Sequence, residues 1–299
     1  MLPYRAYGLS ITSEIALPEL LAGGTGEAGA DVTITLGAVD PDGLADGERL
    51  GPFLWSSTRE FWLQVPGVAR FLVRDGREIV IDAEPGVDDD SVRVFLLGSA
   101  FGALLFQRGL LVLHGNAVRI DDGCMICVGH SGAGKSTLAA GFHRRGFDVL
   151  ADDVVPIDGQ CRAIPGFPRI KLWRDVADRL EIDTTALRRI RPNTEKFNLP
   201  IAEGFSELPV PVKWIYILSD DHIEDVTIDP ILGMAKFPPL RQNTYRMRYL
   251  DGMALKPRHL DLCGQLARQV RLARVARPRS GFTLDLMIDR ILADIRGGQ

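Results

Sequence analysis

The sequence predicts a mixed α/β fold in two parts: a β-rich amino-terminal domain at residues 1–90 and an α/β domain with a phosphate-binding loop at 91–299. Short segments of strand-like composition fill the first part. In the second part, residues 129–137 match the Walker A pattern G-x-x-x-x-G-K-S/T at every fixed position. An apolar run at 124–128 precedes the loop and helical apolar spacing follows it, which is the strand-to-helix frame that the pattern requires.

Composition excludes several classes of protein. A net charge of −4 over 299 residues gives no global electrostatic reason to bind nucleic acid or an anionic membrane. The longest uncharged apolar run, at 94–106, is too short to cross a bilayer, and the first thirty residues lack the features of a signal peptide. We therefore expect a cytoplasmic protein with neither a nucleic-acid nor a membrane partner. The four cysteines suggest no disulfide framework, and Cys124 and Cys127 would face opposite sides of a strand.

The amino-terminal part contains no catalytic constellation. Its glycine-rich segment at 23–29 is expected to be a plain linker, because no strand-to-helix frame surrounds it. The predicted strands lie at 31–36, 61–65, 70–73 and 78–81.

A buried helix is expected at 92–106, directly after Asp88, Asp89, Asp90 and Ser91. Acidic residues and serine favour a helix N-terminus, so this cluster indicates a cap and a solvated turn rather than a metal site.

Beyond this helix, the pattern predicts a strand at 110–113, then His114, then a hairpin with arms at 117–120 and 124–128 that leads into the phosphate loop. After the helix that follows the loop, a short apolar strand at 147–151 ends in Asp152 and Asp153. Carboxylates at the carboxyl end of a strand beside a phosphate loop are where an α/β nucleotide site recruits its Mg²⁺ ligand and its base.

Three cations downstream are candidates for binding nucleotide phosphates or an acidic substrate segment: Arg169 and Lys171 in a predicted rigid loop, and Lys196 in a basic stretch. Ordinary surface charge is the alternative interpretation. Nearer the carboxyl terminus, 258–279 is predicted to be an arginine-rich helix and 283–295 an amphipathic helix, while 219–257 has no assignment.

Each residue type in the loop has a mechanical reason. Glycines let backbone N–H groups turn onto phosphate oxygens, Lys135 reaches the β- and γ-phosphates, and the Ser136 hydroxyl ligates Mg²⁺. With one carboxylate of the Asp152 and Asp153 pair on the cation, the other is free to act as a base. The predicted nucleotide-binding residues are Gly129, His130, Ser131, Gly132, Ala133, Gly134, Lys135, Ser136 and Thr137.

The run from 113 to 157 resembles the catalytic domain of the HPr kinase/phosphorylase family. The resemblance rests on the His114-Gly115 step, the loop and the segment Ala151-Asp152-Asp153, which follows Lys135 at the family's spacing. It implies an ATP- and Mg²⁺-dependent serine kinase that forms homo-oligomers. The implied roles are Asp152 as general base, Asp153 and Ser136 around Mg²⁺, Lys135 on the phosphates and His114 as an active-site companion.

Outside this run the chain departs from that family. The amino-terminal part does not resemble the family's amino-terminal domain, and the later signature segment associated with phosphorolysis is not found. Segments 7–9, 17–20 and 165–169 instead resemble stand-alone relatives that include kinases of lasso-peptide clusters. This narrower resemblance implies an acceptor serine at the carboxyl terminus of a precursor peptide. The alternatives are a kinase for a small-molecule hydroxyl, a bifunctional HPr serine kinase/phosphorylase and a non-catalytic nucleotide switch.

Overall fold

The computed structural model describes residues 1–23, 29–191 and 194–298 and shows a mixed α/β protein with two large sheets. The strands predicted at 31–36, 61–65, 70–73 and 78–81 are confirmed, and most of the predicted glycine-rich linker, 24–28, lies outside the described residues. The first sheet comprises β1 Leu2–Ala6, β2 Leu9–Ser13, β3 Leu21–Ala22, β4 Val32–Leu36, β5 Glu48–Gly51, β6 Leu54–Ser56, β7 Glu60–Val65, β8 Ala69–Arg74 and β9 Glu78–Ala83. Its strand order is β3-β1-β2-β4-β9-β8-β7-β6-β5.

The predicted buried helix is present as α1 Asp89–Phe95, a π-helical turn Leu96–Ala100 and α2 Phe101–Gln107. The Asp88 carboxylate accepts a hydrogen bond of 2.7 Å from the Ser91 backbone N–H, which confirms the predicted cap. Apolar side chains of this helical segment share one core with the first sheet. The segment therefore links that sheet to the rest of the chain.

The second sheet comprises β10 Leu111–Ile120, β11 Gly123–Gly129, β12 Val149–Ile157, β13 Arg162–Ala163, β16 Val210–Asp221, β17 Thr227–Ile231 and β18 Arg271–Pro278. Its order is β11-β10-β12-β13-β16-β18-β17, and an additional parallel pairing of β11 with β16 closes the sheet on itself. A separate ribbon pairs β14 Arg169–Trp173 with β15 Lys196–Pro200.

Helices cover the second sheet on two sides. Helices α3 Lys135–Arg144 and α7 Leu284–Gly297 share one core with Cys127, whereas α5 Phe237–Gln242 and α6 Lys256–Gln269 share another with Cys124. The two cysteines thus lie on opposite sides of β11, as predicted, and both are free thiols. A short helix, α4 Arg174–Arg179, follows β14. Within the described ranges, no helix has both the length and the apolar character needed to cross a membrane.

The prediction that a strand ends at Asp152 and Asp153 is wrong. Strand β12 continues to Ile157 because its apolar residues after the acidic pair are buried and pair with β10 in unbroken register from Asn116 opposite Asp152 to Leu111 opposite Ile157. The same pairing makes β10 one continuous strand instead of two segments separated at His114. The acidic pair therefore lies in the middle of a buried strand.

Two further elements differ from the prediction. The segment expected to be a rigid loop bearing Arg169 and Lys171 is strand β14, because β15 supplies its hydrogen-bond partners from more than twenty residues away. The single helix expected at 258–279 is α6 followed by β18, since the backbone becomes extended at Val270 and the next residues pair in parallel with β16. Tertiary pairing overrides local spacing in both cases.

A substitution at Gly115 tests the close approach of β10 and β11. A Cβ atom at this position would overlap the carbonyl oxygen of Cys127, so we expect Gly115→Ala to lower the free energy of unfolding by about 2 kcal/mol. The control is Gly297→Ala at the end of α7, where no described atom beyond the adjacent residues and the helix's own backbone lies within 4 Å of the added carbon. It should change stability by less than about 0.5 kcal/mol. Urea denaturation measures both, and equal effects would contradict the packing described.

Candidate active site

The strand-to-helix frame predicted around the Walker A segment is confirmed, because β11 ends at Gly129 and α3 begins at Lys135. Gly129 has φ 145°, and a Cβ there would lie 2.7 Å from the Leu218 carbonyl oxygen, so only glycine fits this approach to β16. Gly134 begins the helix in a left-handed conformation, with no side-chain cap and no acidic residue in the first turn. The first N–H groups of α3 are therefore available to an anion.

Lys135 is buried beneath this loop. Its ammonium donates to the carbonyl oxygens of Gly129 at 2.8 Å and His130 at 3.0 Å, and burial lowers its pKa. Asn116, which the sequence analysis did not single out, donates from its side-chain amide to the Lys135 carbonyl oxygen. The signal available in the sequence was an amide side chain directly after the His114-Gly115 step. Asn116 thus ties β10 to the start of the loop helix.

Asp152 is 9% exposed and contacts the metal-binding hydroxyl predicted from the sequence. Its Oδ1 accepts from the Ser136 hydroxyl at 2.9 Å, and its Oδ2 accepts from the Lys171 backbone N–H at 2.8 Å. Burial raises the pKa of this carboxyl, and Asp153 adds to the effect. Both donors are neutral, so no cation in the part of the chain that the structure describes contacts this carboxylate.

Asp153 lies in a different environment. Its Oδ2 accepts from the Lys171 ammonium at 2.7 Å, and its Oδ1 lies 3.3 Å from Nδ1 of His114. Burial alone would raise the pKa of Asp153, but the Lys171 ammonium holds it well below its usual range. The backbone at Asp153 is left-handed, with φ 80°, a conformation that non-glycine residues adopt at a cost of about 1 kcal/mol.

His114 donates from Nδ1, because the two atoms within reach, the Asp153 carbonyl oxygen at 3.0 Å and its carboxylate, are both acceptors. Burial lowers the pKa of this histidine, which favours the neutral ring. In that tautomer Nε2 carries a lone pair. The predicted proximity of His114 to the acidic pair is therefore present in the structure.

The three predicted substrate cations differ in position. Lys171 contacts the acidic pair directly, as described above. Lys196 packs over the Trp173 ring at 5.5 Å. Arg169 is 5% exposed, lies over the Phe167 ring at 4.7 Å and donates to the Asn198 amide oxygen at 3.3 Å. The structure brings Lys171 to the carboxylates, whereas the contacts of Arg169 are with other residues.

Two clefts flank the loop. One, of about 190 Å³, lies beside Gly132 and Gly134 and includes Arg179, whose guanidinium lies over the Phe282 ring at 5.3 Å. The other, of about 660 Å³, is lined by His114 and Asp153 together with loop residues and the arginines Arg246 and Arg274. The acidic pair therefore has an open cleft on the side of Asp153.

The oxygen donors beside the loop fit a cation that takes several of its ligands from substrate and water. Among the residues described, no group of three or more His, Cys, Asp or Glu side chains could hold a metal by itself. Mg²⁺ is usually bound by one or two carboxylates together with substrate phosphates and water. Ser136 with a member of the acidic pair supplies donors of this kind, provided that a nucleotide contributes the remainder.

Comparison with known proteins gives a limited result. No protein-family model and no curated protein sequence matches the chain. Among solved structures, the HPr(Ser) kinase/phosphatase from Coxiella burnetii is similar to 62% of this chain and 95% of its own, with a TM-score of 0.33 and 14% sequence identity. The function of this chain must therefore be inferred from the site itself.

Stability should respond to pH in opposite ways when each aspartate is replaced. The folded-state pKa of Asp152 is raised, so its contribution to stability is full below the unfolded pKa and is lost as pH rises through the folded pKa. We therefore expect the stability of Asp152→Asn, relative to wild type, to increase from pH 4 to pH 7. An asparagine can keep both contacts, accepting from the Lys171 N–H and donating to the Ser136 hydroxyl.

Asp153→Asn is the matched control. The folded-state pKa of Asp153 is lowered, so its contribution is present above the unfolded pKa and is lost as pH falls below about pH 4. At pH 7 we expect this variant to lose about 2 kcal/mol, less than the usual cost of breaking a fully buried pair, because Asp153 is partly exposed. Urea denaturation from about pH 3 to pH 7 measures both variants, and trends of the same sign would contradict the division between the two carboxylates.

Proposed function

We propose that this chain is an ATP- and Mg²⁺-dependent kinase that transfers the γ-phosphoryl group to a hydroxyl of a peptide or protein, in the first instance serine. The observation that carries the proposal is the difference in contacts between the two carboxylates of the acidic pair. Asp152 contacts the loop hydroxyl of Ser136, and Asp153 lines a separate cleft with His114. Paired carboxylates whose environments separate their pKa values are typical of sites that assign them different tasks. A nucleotide switch has no need of the second carboxylate.

Lys135 and the loop amides would hold the nucleotide phosphates. Among the described residues, the Lys135 ammonium donates to the carbonyl oxygens of Gly129 and His130, which are neutral acceptors. Phosphate oxygens are stronger acceptors for a buried ammonium, so they would displace at least one of these bonds. The smaller cleft, with Arg179 and Phe282, is the candidate position for the base, because an aromatic ring and a guanidinium both stack on planar groups.

We assign Asp152 and Ser136 to the cation. Asp152 is a buried carboxylate with no cation in contact, so it gains most from a divalent charge, whereas Asp153 is already paired with Lys171. When bound, Mg²⁺ would neutralise negative charge on the phosphates during transfer. This assignment exchanges the roles that the family resemblance implies for Asp152 and Asp153.

Asp153 would then orient the acceptor hydroxyl in the larger cleft. Its low pKa keeps it ionised at neutral pH, so it can accept a hydrogen bond from a hydroxyl, and His114 helps to fix the carboxylate. A weakly basic carboxylate suffices because phosphoryl transfer passes through a loose transition state, in which positioning matters more than base strength. A serine at the carboxyl terminus of a lasso-peptide precursor is the specific acceptor that we propose to test first.

Replacing each carboxylate should separate the two roles. With [γ-³²P]ATP and serine peptides, we expect Asp153→Asn to lower kcat by about a hundredfold or more while leaving the Kd for Mg·ATP within about twofold. Asp152→Asn should instead raise the Mg²⁺ concentration required for nucleotide binding. Lys135→Met should abolish nucleotide binding.

Asp122→Asn is the control. Asp122 lies on the turn between β10 and β11 and forms an exposed ion pair with Lys213 of β16. It should leave all constants unchanged. If the effects of the two active-site aspartates are reversed, the roles implied by the family resemblance are correct. If every variant transfers phosphate at the wild-type rate, the proposed function is wrong.

A further inference from the structure

We infer that the acceptor carries an anionic group, a carboxylate or a phosphate, close to its reactive hydroxyl, and that Arg246 and Arg274 bind this group in the larger cleft. The inference rests on the proposed function, since it specifies the substrate of the same site. Arg246 lies in the segment that had no assignment from the sequence, and Arg274 lies in the arginine-rich segment 258–279.

One wall of the larger cleft is formed by residues 242–246, whose backbone is hydrogen-bonded to β10. The His114 N–H donates to the Asn243 carbonyl oxygen at 2.8 Å, and the Tyr245 N–H donates to the Val112 carbonyl oxygen at 2.8 Å. Between these two bonds, Leu113 and Thr244 form an antiparallel bridge. The residues just before Arg246 are therefore fixed beside His114.

The buried side chain of Tyr245 holds this wall in place. Its ring is 6% exposed and packs against Gly102, where a Cβ atom would lie 2.6 Å from a ring carbon. Its ring centroid is 5.9 Å from that of His114, and the Arg246 guanidinium lies 5.7 Å from the Tyr245 ring centroid. Asp153, His114, Tyr245 and Arg246 thus form a continuous series of contacts along the cleft.

The backbone at Arg246 is left-handed, with φ 42° and ψ 54°. A non-glycine residue pays about 1 kcal/mol for this conformation, and such strain persists only where surrounding contacts fix it. Stacking of the guanidinium on Tyr245 and on Tyr249, at 5.9 Å, supplies part of that fixation. The side chain is therefore held at the cleft rather than left free to follow solvent.

Both arginines line the cleft without a carboxylate partner. Within residues 1–23, 29–191 and 194–298, no ion pair is formed by Arg246 or by Arg274, whereas Arg169, Arg174 and Arg279 each have one. Arg274 is exposed on β18 and lies opposite Asp229 of β17 in the strand register. The two side chains do not form an ion pair. Asp153 in the same cleft is already compensated by Lys171. Two guanidinium groups that line one cleft and form no ion pair among the described residues favour an anion, which they can bind through paired hydrogen bonds, although the Arg246 Nε also donates to the Tyr245 hydroxyl at 3.4 Å.

Peptide binding with the nucleotide site filled tests this inference. Saturating AMP-PNP and Mg²⁺ occupy the loop, and calorimetry then measures three short peptides: N-acetyl-Ala-Ser with a free carboxylate, its carboxyl-terminal amide, and the amide with phosphoserine in place of alanine. We expect at least one anionic peptide to bind about tenfold or more tightly than the neutral amide. The stronger of the two identifies the anion as a carboxylate or a phosphate.

Substitution should remove this preference. Arg246→Gln and Arg274→Gln should each reduce it severalfold, and the double variant should abolish it. Arg248→Gln is the matched control, since Arg248 is exposed on the next turn and lies outside the cleft lining. It should retain the wild-type preference. Unchanged circular dichroism and Tm would establish that the variants are folded.

Three results would overturn the inference. The neutral amide could bind as tightly as both anionic peptides, or the preference for an anionic peptide could survive in the double variant. The arginine variants could also lose affinity for AMP-PNP while keeping the peptide preference. AMP-PNP cannot transfer its phosphoryl group, so this binding assay is independent of catalysis. Anion preference without any kinase activity would refute the proposed function alone. Kinase activity that is indifferent to the acceptor's charge would refute this inference alone.

Discussion

Lys171 is the residue on which the arrangement of the site depends, because it contacts both carboxylates of the acidic pair. Its backbone N–H binds Asp152 and its ammonium binds Asp153. One residue therefore gives the first carboxylate a neutral donor and the second a full positive charge. Two adjacent aspartates on a buried strand repel each other, and the Lys171 ammonium determines that Asp153 is the one whose pKa is lowered. In the proposed function, this separation provides a cation ligand and an acceptor-orienting group within one site.

Lys171 can occupy this position only because of pairings that are distant in sequence. It lies on β14, which is held by β15, and two residues earlier Arg169 is buried near Glu19 of the amino-terminal part, at 3.9 Å. Arg93 of the helix α1 also pairs with Glu19 at 3.1 Å. The first sheet and the helical segment thus contribute to the electrostatic balance beside the site. Pairs of this kind are costly to break because they leave an uncompensated buried charge.

Local rules made part of this structure predictable. Residues 129–137 carry their own glycine and lysine chemistry, and the cap at Asp88 follows from side-chain hydrogen bonding within a few residues. The position of the acidic pair within β12 was not predictable, because the strand continues only through its pairing with β10. The arginine-bearing wall at 242–246 shows no periodic pattern, and hydrogen bonds to residues more than a hundred positions earlier fix it. Sequence reasoning therefore predicted the loop at 129–137 better than the wall of the larger cleft.

The central claim is that a hydroxyl acceptor receives the γ-phosphoryl group in the larger cleft. Mass spectrometry tests it most directly: serine-containing peptides encoded beside this gene are incubated with the protein, Mg²⁺ and ATP, and the masses of peptide and nucleotide are followed together. We predict that one peptide gains a phosphoryl group on its serine hydroxyl in step with ADP formation. ADP formation without any phosphorylated peptide, or stable ATP binding with no turnover, would contradict the claim.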